Sequence, residues 1–188
     1  MVAKAVFLDR DGVINANVDR DGKPVAPTSA KDFRILPGVE EAVAALKDAG
    51  FLIVVATNQP DIKTGRTSLA ELEAMHAEIR RRMPVDAIKA CFHVDADNCQ
   101  CRKPRPGMLT EAAAELNISL ADSYMIGDRW RDVEAGRAVG CRTFFVDWGY
   151  PQDGPLHPDW TVRSLPEAAK MILDAERAAR SPAVHTAR

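Results

Sequence analysis

The chain alternates between short, nearly continuous apolar runs and longer segments in which apolar residues recur every three or four positions. Apolar runs rich in β-branched residues are typical of buried strands, whereas the three-to-four spacing is typical of helices. The runs predict strands at 4–8, 51–56, 88–93, 123–126, 142–146 and 160–162. The amphipathic segments predict helices that begin at Pro37-Gly38, Ser68, Pro106-Gly107, the 127–132 segment and Ser164. Strands that alternate with helices form parallel sheets, so we expect an α/β fold: a three-layer, Rossmann-like parallel sheet with helices on both faces.

Local signals mark several helix ends. Gly50 is expected to stop the first helix, because glycine is common just past a helix C-terminus. The other predicted ends lie near Met83, Asn117 and Gly140. Two serines, each followed three residues later by glutamate, predict capping boxes at Ser68-x-x-Glu71 and Ser164-x-x-Glu167.

Residues 15–37 form a polar segment without clear periodicity, too long to be only a connector. The segment either lies over the end of the first strand and touches substrate or is a surface insertion, and the sequence leaves both open. We find no internal repeat and no sign of a second domain. The prediction is a single domain over 1–178 and a disordered tail over 179–188.

The composition narrows the class of protein. Of the 188 residues, 46% are hydrophobic and 28% are charged, and the net charge is -2. This balance predicts a soluble globular protein without general affinity for nucleic acid or anionic membranes. No apolar run approaches the roughly 20 residues of a membrane span, and the N-terminus lacks a secretion signal. We therefore expect a cytoplasmic protein with a small-molecule partner, and a monomer rather than an oligomer.

The first predicted strand ends in Asp9-Arg10-Asp11-Gly12. Positions two apart on a strand face the same side, so Asp9 and Asp11 are expected in one crevice beyond its carboxyl end, where open α/β sheets bind ligands. Adjacent carboxylates repel each other unless a cation lies between them, and Mg²⁺ suits oxygen ligands that it shares with a phosphate. The alternative is a solvated turn, because Asp and Gly are common turn residues.

Polar groups also follow three further segments of the predicted sheet, and they are expected to converge because the ends of parallel strands share one edge. Each has a simpler explanation alone: a cap, a loop charge, or a complement to a helix dipole. Together with the two aspartates they suffice for phosphate removal through a covalent intermediate, which needs a carboxylate nucleophile, a cation, groups that hold phosphoryl oxygens, and an acid/base. The three further groups are Thr57-Asn58-Gln59, Arg102-Lys103, and Asp128 with Asp132.

The chain resembles the haloacid dehalogenase superfamily of phosphatases in four segments, in that family's order: Asp9-Arg10-Asp11-Gly12, Thr57-Asn58-Gln59, Arg102-Lys103-Pro104 and Gly127-Asp128-x-x-x-Asp132. The resemblance implies that Asp9 is the nucleophile and Asp11 the general acid/base. It also implies that Thr57 and Lys103 bind the transferring phosphoryl group. The remaining expected contacts to phosphate or substrate are Asn58, Gln59 and Arg102.

The same resemblance implies a magnesium site. Mg²⁺ would be held by Asp9, by the backbone carbonyl of Asp11 and by Asp128. Asp132 would either bind the ion directly or contact one of the groups that do. The polar segment at 15–37, in place of a cap domain, resembles the capless members of the superfamily. Such members tend to admit substrates of modest size.

A second candidate metal site lies in the 91–101 loop. Cys91, His93, Cys99 and Cys101 offer three thiolates and an imidazole, which suit tetrahedral zinc and leave no open position for catalysis. In a reducing compartment such a cluster indicates a metal rather than disulfides. The spacing is tighter than in zinc fingers, so reduced thiols without metal are the alternative. A structural zinc here would fix the loop that carries Arg102-Lys103.

This loop, followed by Arg102-Lys103-Pro104, also resembles two groups of phosphatases with structural zinc: the bacterial heptose bisphosphate 7-phosphatases and the related histidinol-phosphate phosphatases. The first group is favoured, because its members use the arginine that matches Arg102 for a second phosphate. The implied reaction removes the 7-phosphate of D-glycero-D-manno-heptose 1,7-bisphosphate. Two rim segments depart from that group: Asn58-Gln59-Pro60-Asp61 replaces Asn-Gln-Ser-Gly, and Cys91-Phe92-His93-Val94-Asp95 replaces Cys-Pro-His-His-Pro.

A receiver-type signalling module is the alternative from another class, since it too forms an aspartyl phosphate in an acidic Mg²⁺ pocket. Asp11 argues against it, because an acid/base two residues from the nucleophile shortens the life of the intermediate. Among the other residues, we expect His76 to be exposed and Cys141 to be buried. Trp130 either contacts substrate or packs between loops, and the 147–160 loop forms either a pocket wall or an interface.

Overall fold

Eight strands and five α-helices make up most of residues 2–180, the part of the chain that the computed structural model describes. The strands are β1 Ala5–Leu8, β2 Val18–Arg20, β3 Lys23–Val25, β4 Leu52–Asn58, β5 Ala87–Cys91, β6 Tyr124–Gly127, β7 Arg142–Val146 and β8 Trp160–Val162. The helices are α1 Val39–Asp48, α2 Leu69–Arg82, α3 Gly107–Leu116, α4 Trp130–Ala138 and α5 Leu165–Arg180.

Six strands form one sheet in the order β5-β4-β1-β6-β7-β8, and every neighbouring pair is parallel. Side chains alternate across the sheet: Val6 and Leu8 of β1 join one apolar cluster, whereas Ala5 and Phe7 join another. Helices α1, α2 and α5 cover the first cluster, α3 covers the second, and α4 packs against β6 and β7. The predicted three-layer, Rossmann-like α/β fold is therefore confirmed, and residues 2–180 contain no separate cap domain.

The irregular structure predicted for residues 15–37 was wrong in one respect, because β2 and β3 pair there as an antiparallel hairpin. The turn between them, Asp21-Gly22, has positive φ angles of 56° and 74°. Asp-Gly favours a turn of this kind, so a signal for the hairpin was present in the sequence. The flanking strands have only three residues each, too few to show the alternation that predicts a strand.

The capping box predicted at Ser68 is only half formed. The Ser68 hydroxyl accepts a 3.1 Å hydrogen bond from the backbone N–H of Glu71. The Glu71 carboxylate accepts instead from the backbone N–H of Ala30, at 2.7 Å. This glutamate thus ties the 15–37 segment to the start of α2.

The prediction that His76 is exposed was wrong, because its side chain on α2 is buried and only 2% of its surface is accessible. Its Nδ1 lies 3.8 Å from a carboxylate oxygen of Glu73. Burial, reinforced by the charges of Arg10 and Arg80, lowers the pKa of His76 to about 4. The imidazole is therefore neutral at physiological pH.

The end of the chain lies partly outside the described residues. Helix α5 continues to Arg180, two residues beyond the expected domain boundary at 178, and the predicted tail over 181–188 is not covered. None of the helices within residues 2–180 combines the length and apolar composition needed to cross a bilayer.

Candidate active site and metal centres

The carboxyl ends of β1, β4 and β6 open into a cavity of about 410 Å³. All four polar segments singled out in the sequence contribute to its wall, because parallel strands end at the same edge of the sheet. Thr57 is buried and does not line the cavity itself. The predicted site residues in the wall are Asp9, Asp11, Asn58, Gln59, Arg102, Lys103, Asp128 and Asp132.

Lys103 joins two of these carboxylates in the interior of the protein. Its Nζ donates to Asp9 Oδ1 at 2.8 Å and to the backbone carbonyl of Ala56 at 2.6 Å, and it lies 2.5 Å from Asp132 Oδ1. The side chain is only 1% exposed, yet the two carboxylates raise the pKa of Lys103 above its usual value, against the effect of burial. The ammonium therefore stays charged in the wall of the cavity.

Asp9, Asp128 and Asp132 form a cluster in which one carboxylate oxygen from each lies within 4.8 Å of the others. Burial raises the pKa of Asp9 to about 7, with Lys103 opposing and Asp132 adding to the shift. Burial and the neighbouring carboxylates also raise the pKa of Asp128 well above its usual value. Three hard oxygen donors with unbalanced negative charge fit a divalent cation such as Mg²⁺.

Two glycines allow the carboxylates to come so close together. A Cβ on Gly127 would overlap the Asp132 side chain, and a Cβ on Gly12 would overlap the carboxylate of Asp128. Gly12 also has a φ of 81°, which disfavours any residue with a side chain. The glycines of both segments are therefore required by the packing of the acidic cluster.

The carboxylate of Asp11 is held by a different set of groups. Arg10 is completely buried and forks onto it, with Nε donating at 3.0 Å and Nη2 at 2.8 Å to Oδ1. Asn15 Nδ2 donates to the same oxygen at 3.0 Å, and Gln59 Nε2 donates to Oδ2 at 2.8 Å. Asp11 is thus fixed in the wall of the cavity, outside the cluster of three carboxylates. That its backbone carbonyl binds Mg²⁺ stays a prediction.

The amides at the carboxyl end of β4, Asn58 and Gln59, contact protein groups at the site. Asn58 Nδ2 donates to the carbonyl of Lys103, and Asn58 Oδ1 accepts from the backbone N–H of Lys103, both at 3.1 Å. Gln59 Nε2 also donates to the hydroxyl of Thr57, at 2.9 Å. Asn58 therefore fixes the Lys103 loop and Gln59 connects Thr57 to Asp11, while their expected substrate contacts stay predictions.

The predicted cysteine site is assembled in the structure. The thiols of Cys91, Cys99 and Cys101 are free, with sulfur–sulfur separations of 3.0, 3.4 and 3.7 Å, and His93 Nδ1 lies 3.3 Å from Cys101 Sγ. Zn–S bonds of about 2.3 Å in a tetrahedron place sulfurs about 3.8 Å apart, so the longest separation already fits. Burial raises the pKa of Cys91 to about 12, a cost that a bound cation offsets by stabilising the thiolate. The four side chains can therefore hold a metal ion.

The 147–160 loop braces the site without lining its cavity. Trp148 Nε1 donates to the carbonyl of Gly12 at 2.8 Å, and Gln152 Oε1 accepts from the backbone N–H of Trp130 at 2.9 Å. The ring of Trp130 packs against Gly154, which agrees with packing between loops rather than substrate contact.

Sequence reasoning missed several functional neighbours. Arg10 and Asn15 hold Asp11, and Gln152 supports the start of α4, but none follows a pattern that signals such a role. Arg131 also lines the cavity, and its Nη1 lies 3.5 Å from the Lys103 carbonyl.

Known proteins resemble the chain in sequence and structure. A hydrolase-like family model, described as HAD-hydrolase-like, matches residues 100–168. A D-glycero-beta-D-manno-heptose-1,7-bisphosphate 7-phosphatase from Pseudomonas aeruginosa is 39% identical over 79% of this chain and 84% of that protein. Its namesake from Escherichia coli is 34% identical over 94% of this chain and 97% of that protein. One similar solved structure is the crystal structure of D,D-heptose 1,7-bisphosphate phosphatase from B. bronchiseptica, complexed with magnesium and phosphate. It matches with a TM-score of 0.76 and 33% identity, and the match covers 92% of this chain and 99% of that chain. The chain therefore belongs to the haloacid dehalogenase-like phosphatases.

Proposed function

We propose that this phosphatase removes the 7-phosphate of D-glycero-D-manno-heptose 1,7-bisphosphate, through an aspartyl phosphate on Asp9 and with Mg²⁺. One observation carries the proposal: a single cavity has groups for two phosphates. Its wall contains the buried carboxylates with their lysine at the reacting end, and it also contains a pair of arginines suited to a second phosphate. The groups are Asp9, Asp128, Asp132 and Lys103, and Arg102 with Arg131.

Asp9 is the nucleophile in this mechanism. Lys103 binds its Oδ1, so Oδ2 attacks phosphorus, and the bond from phosphorus to the sugar oxygen breaks as the aspartyl phosphate forms. The ammonium of Lys103 holds the phosphoryl oxygens. The hydroxyl of Thr57, which is buried behind Gln59, joins it when the phosphoryl group binds. Because Lys103 is buried and remains charged, it stabilises the charge that builds up during transfer.

Asp11 supplies the proton transfers. It protonates the departing sugar oxygen and then takes a proton from the water that hydrolyses the aspartyl phosphate. Arg10, Asn15 and Gln59 hold its carboxylate in place for both steps. The same acid/base makes the intermediate short-lived, which disfavours a receiver-type signalling role.

Two metal ions complete the proposal. Mg²⁺ would be held by Asp9, Asp128 and the carbonyl of Asp11, with Asp132 beside it, and when bound it neutralises charge on the carboxylates and the phosphoryl oxygens. Zinc would be held by Cys91, His93, Cys99 and Cys101. Four protein ligands leave no open position, so the zinc is structural.

The substrate assignment rests on the relatives named as heptose 1,7-bisphosphate 7-phosphatases and on the arginines of the cavity. The first experiment measures phosphate release with Mg²⁺ from both anomers of heptose 1,7-bisphosphate, fructose 1,6-bisphosphate, histidinol phosphate and an aryl phosphate. We expect a strong preference for one heptose anomer. Preferential turnover of histidinol phosphate would show that the substrate assignment is wrong and leave the mechanism in place.

Asp9→Asn is the control variant for the same panel. It keeps the size of the side chain but replaces one carboxylate oxygen with an amide nitrogen and so removes the nucleophile, and activity should fall at least about a thousandfold on every substrate. Substantial residual turnover by a folded Asp9→Asn protein would refute the nucleophile assignment.

A further inference from the structure

One carboxylate bridges two of the arginines that line the cavity, Arg102 and Arg131. Oδ1 of Asp95 accepts from Arg102 Nε at 2.7 Å and from Arg131 Nη1 at 3.1 Å, and its Oδ2 accepts from Arg131 Nη2 at 3.2 Å. Both arginines line the catalytic cavity and also a neighbouring cavity of about 250 Å³, whereas Asp95 lines only the smaller one. The arginines therefore lie between the two cavities, with Asp95 on the side away from the reacting groups.

We propose that Asp95 is a positioning residue that holds Arg102 and Arg131 together, so that both bind the second phosphate of the substrate. This inference rests on the proposed bisphosphatase function. It adds one determinant that the function does not by itself require, Asp95.

The argument begins with charge. Two guanidinium groups repel each other, and a carboxylate that contacts both offsets that repulsion. The three groups together retain one positive charge, which favours an incoming anion. Asp95 therefore makes it possible to keep two arginines side by side at the cavity wall.

The hydrogen bonds leave donors for a ligand. A guanidinium has five N–H donors, and Asp95 uses one from Arg102 and two from Arg131. Nη1 of Arg102 is buried and has no hydrogen-bond partner within residues 2–180. A buried donor without a partner is costly, and a phosphate oxygen is a suitable acceptor for it.

Other contacts fix the direction in which Arg131 acts. Its guanidinium lies 5.0 Å from the centre of the Trp130 ring, and Nη1 is 3.5 Å from the carbonyl of Lys103. The pair is thus attached to the backbone of the lysine that contacts the transferred phosphoryl group. A molecule with two phosphates can reach both ends of this arrangement at once.

The turn that contains Asp95 also contains a matched control. Asp95 and Asp97 belong to the same 3₁₀ turn, between His93 and Cys99. Asp97 forms its ion pair with Lys63 and lines neither cavity. Asp97→Asn removes the same charge from the same turn without touching the arginines.

The test compares heptose 1,7-bisphosphate with p-nitrophenyl phosphate, which has no second phosphate, in the Mg²⁺-loaded wild type and in Asp95→Asn. We expect KM for the bisphosphate to rise roughly three- to fivefold, which is the change that the loss of a solvent-exposed ion pair typically causes. Its kcat and both constants for the aryl phosphate should change less than about twofold. Asp95→Glu should recover part of the loss, and Asp97→Asn should match the wild type.

A double-mutant cycle links the effect to the arginine. Arg131→Gln should raise KM for the bisphosphate, and adding Asp95→Asn to it should have little further effect. An unchanged or lower KM in Asp95→Asn would overturn the positioning role, as would equal losses on both substrates. If the wild type does not prefer any bisphosphate, the proposed function fails and this inference fails with it; a wild-type preference that survives Asp95→Asn contradicts the inference alone.

Discussion

At the scale of single residues, the site concentrates buried charge that its neighbours only partly balance. Lys103 contacts Asp9 and Asp132. Asp128 has a longer ion pair, with Nε of Arg129 at 3.4 Å. The acidic cluster therefore carries more negative charge than its lysine can neutralise, which is the usual signature of a cation site. The completely buried Arg10, by contrast, has its charge matched by Asp11.

His76 makes a prediction about pH. Its pKa is about 4 in the folded protein and near 6.5 in the unfolded chain, so the unfolded state binds more protons between these values and stability falls as pH falls through this window. His76→Gln cannot take up this proton. By pH 5 the wild type should lose about 2 kcal/mol more unfolding free energy than the variant, relative to pH 7.5.

Urea unfolding of both proteins at the two pH values measures this difference. Glu73→Gln is the control, because it removes the carboxylate beside the imidazole and keeps the imidazole itself. If the wild type and His76→Gln lose stability in parallel, His76 is not buried in its neutral form.

At the scale of elements, the strands of the sheet could be predicted from their nearly continuous apolar runs, and the helices from apolar residues that recur every three or four positions. The hairpin β2–β3 was not predicted, since strands of three residues are too short to show a pattern and only Asp21-Gly22 marks the turn. The convergence of polar segments at one edge also followed from parallel topology. The contacts of Asp95 with two arginines could not be predicted, because they depend on how the 91–101 loop packs against α4.

The prediction at this scale concerns the metal site of the 91–101 loop. Cys99→Ser removes one soft ligand, so we expect the bound zinc to fall from about one ion per chain to well below that value. The loop would then hold Lys103 less precisely, and phosphatase activity should fall about tenfold or more. Metal analysis and kinetics of the same preparation measure both effects.

Cys141→Ala is the matched control, since Cys141 is a buried thiol outside the cluster and should not affect zinc content. A Cys99→Ser protein with full activity and no bound zinc would contradict a structural role for the metal.

At the scale of the whole molecule, the fold positions the acidic cluster at a cost to its own stability. The loops after β1 and β6 bring Asp9 and Asp128 together, and two glycines remove the steric barrier to that approach. Part of the stability that the sheet and its two apolar layers provide is thus used to keep like charges close. Cation binding should recover it, because a ligand that binds only the folded state stabilises that state.

Magnesium should therefore raise the melting temperature, and more so at high pH. In the metal-free protein the raised pKa of Asp9, about 7, means that the folded state binds more protons than the unfolded chain between about pH 4 and 7, so stability falls as pH rises through this window. Mg²⁺ binds the ionised carboxylates. At a hundredfold excess over Kd the melting temperature should rise about 5–10 °C at pH 8 and clearly less at pH 5.5.

Asp128→Asn should stabilise the metal-free protein and reduce the Mg²⁺ shift, whereas Asp174→Asn, at an exposed ion pair on α5, should leave the shift unchanged. A Mg²⁺ shift that is equal at both pH values, or that persists fully in Asp128→Asn, would show that the ion does not bind at this cluster.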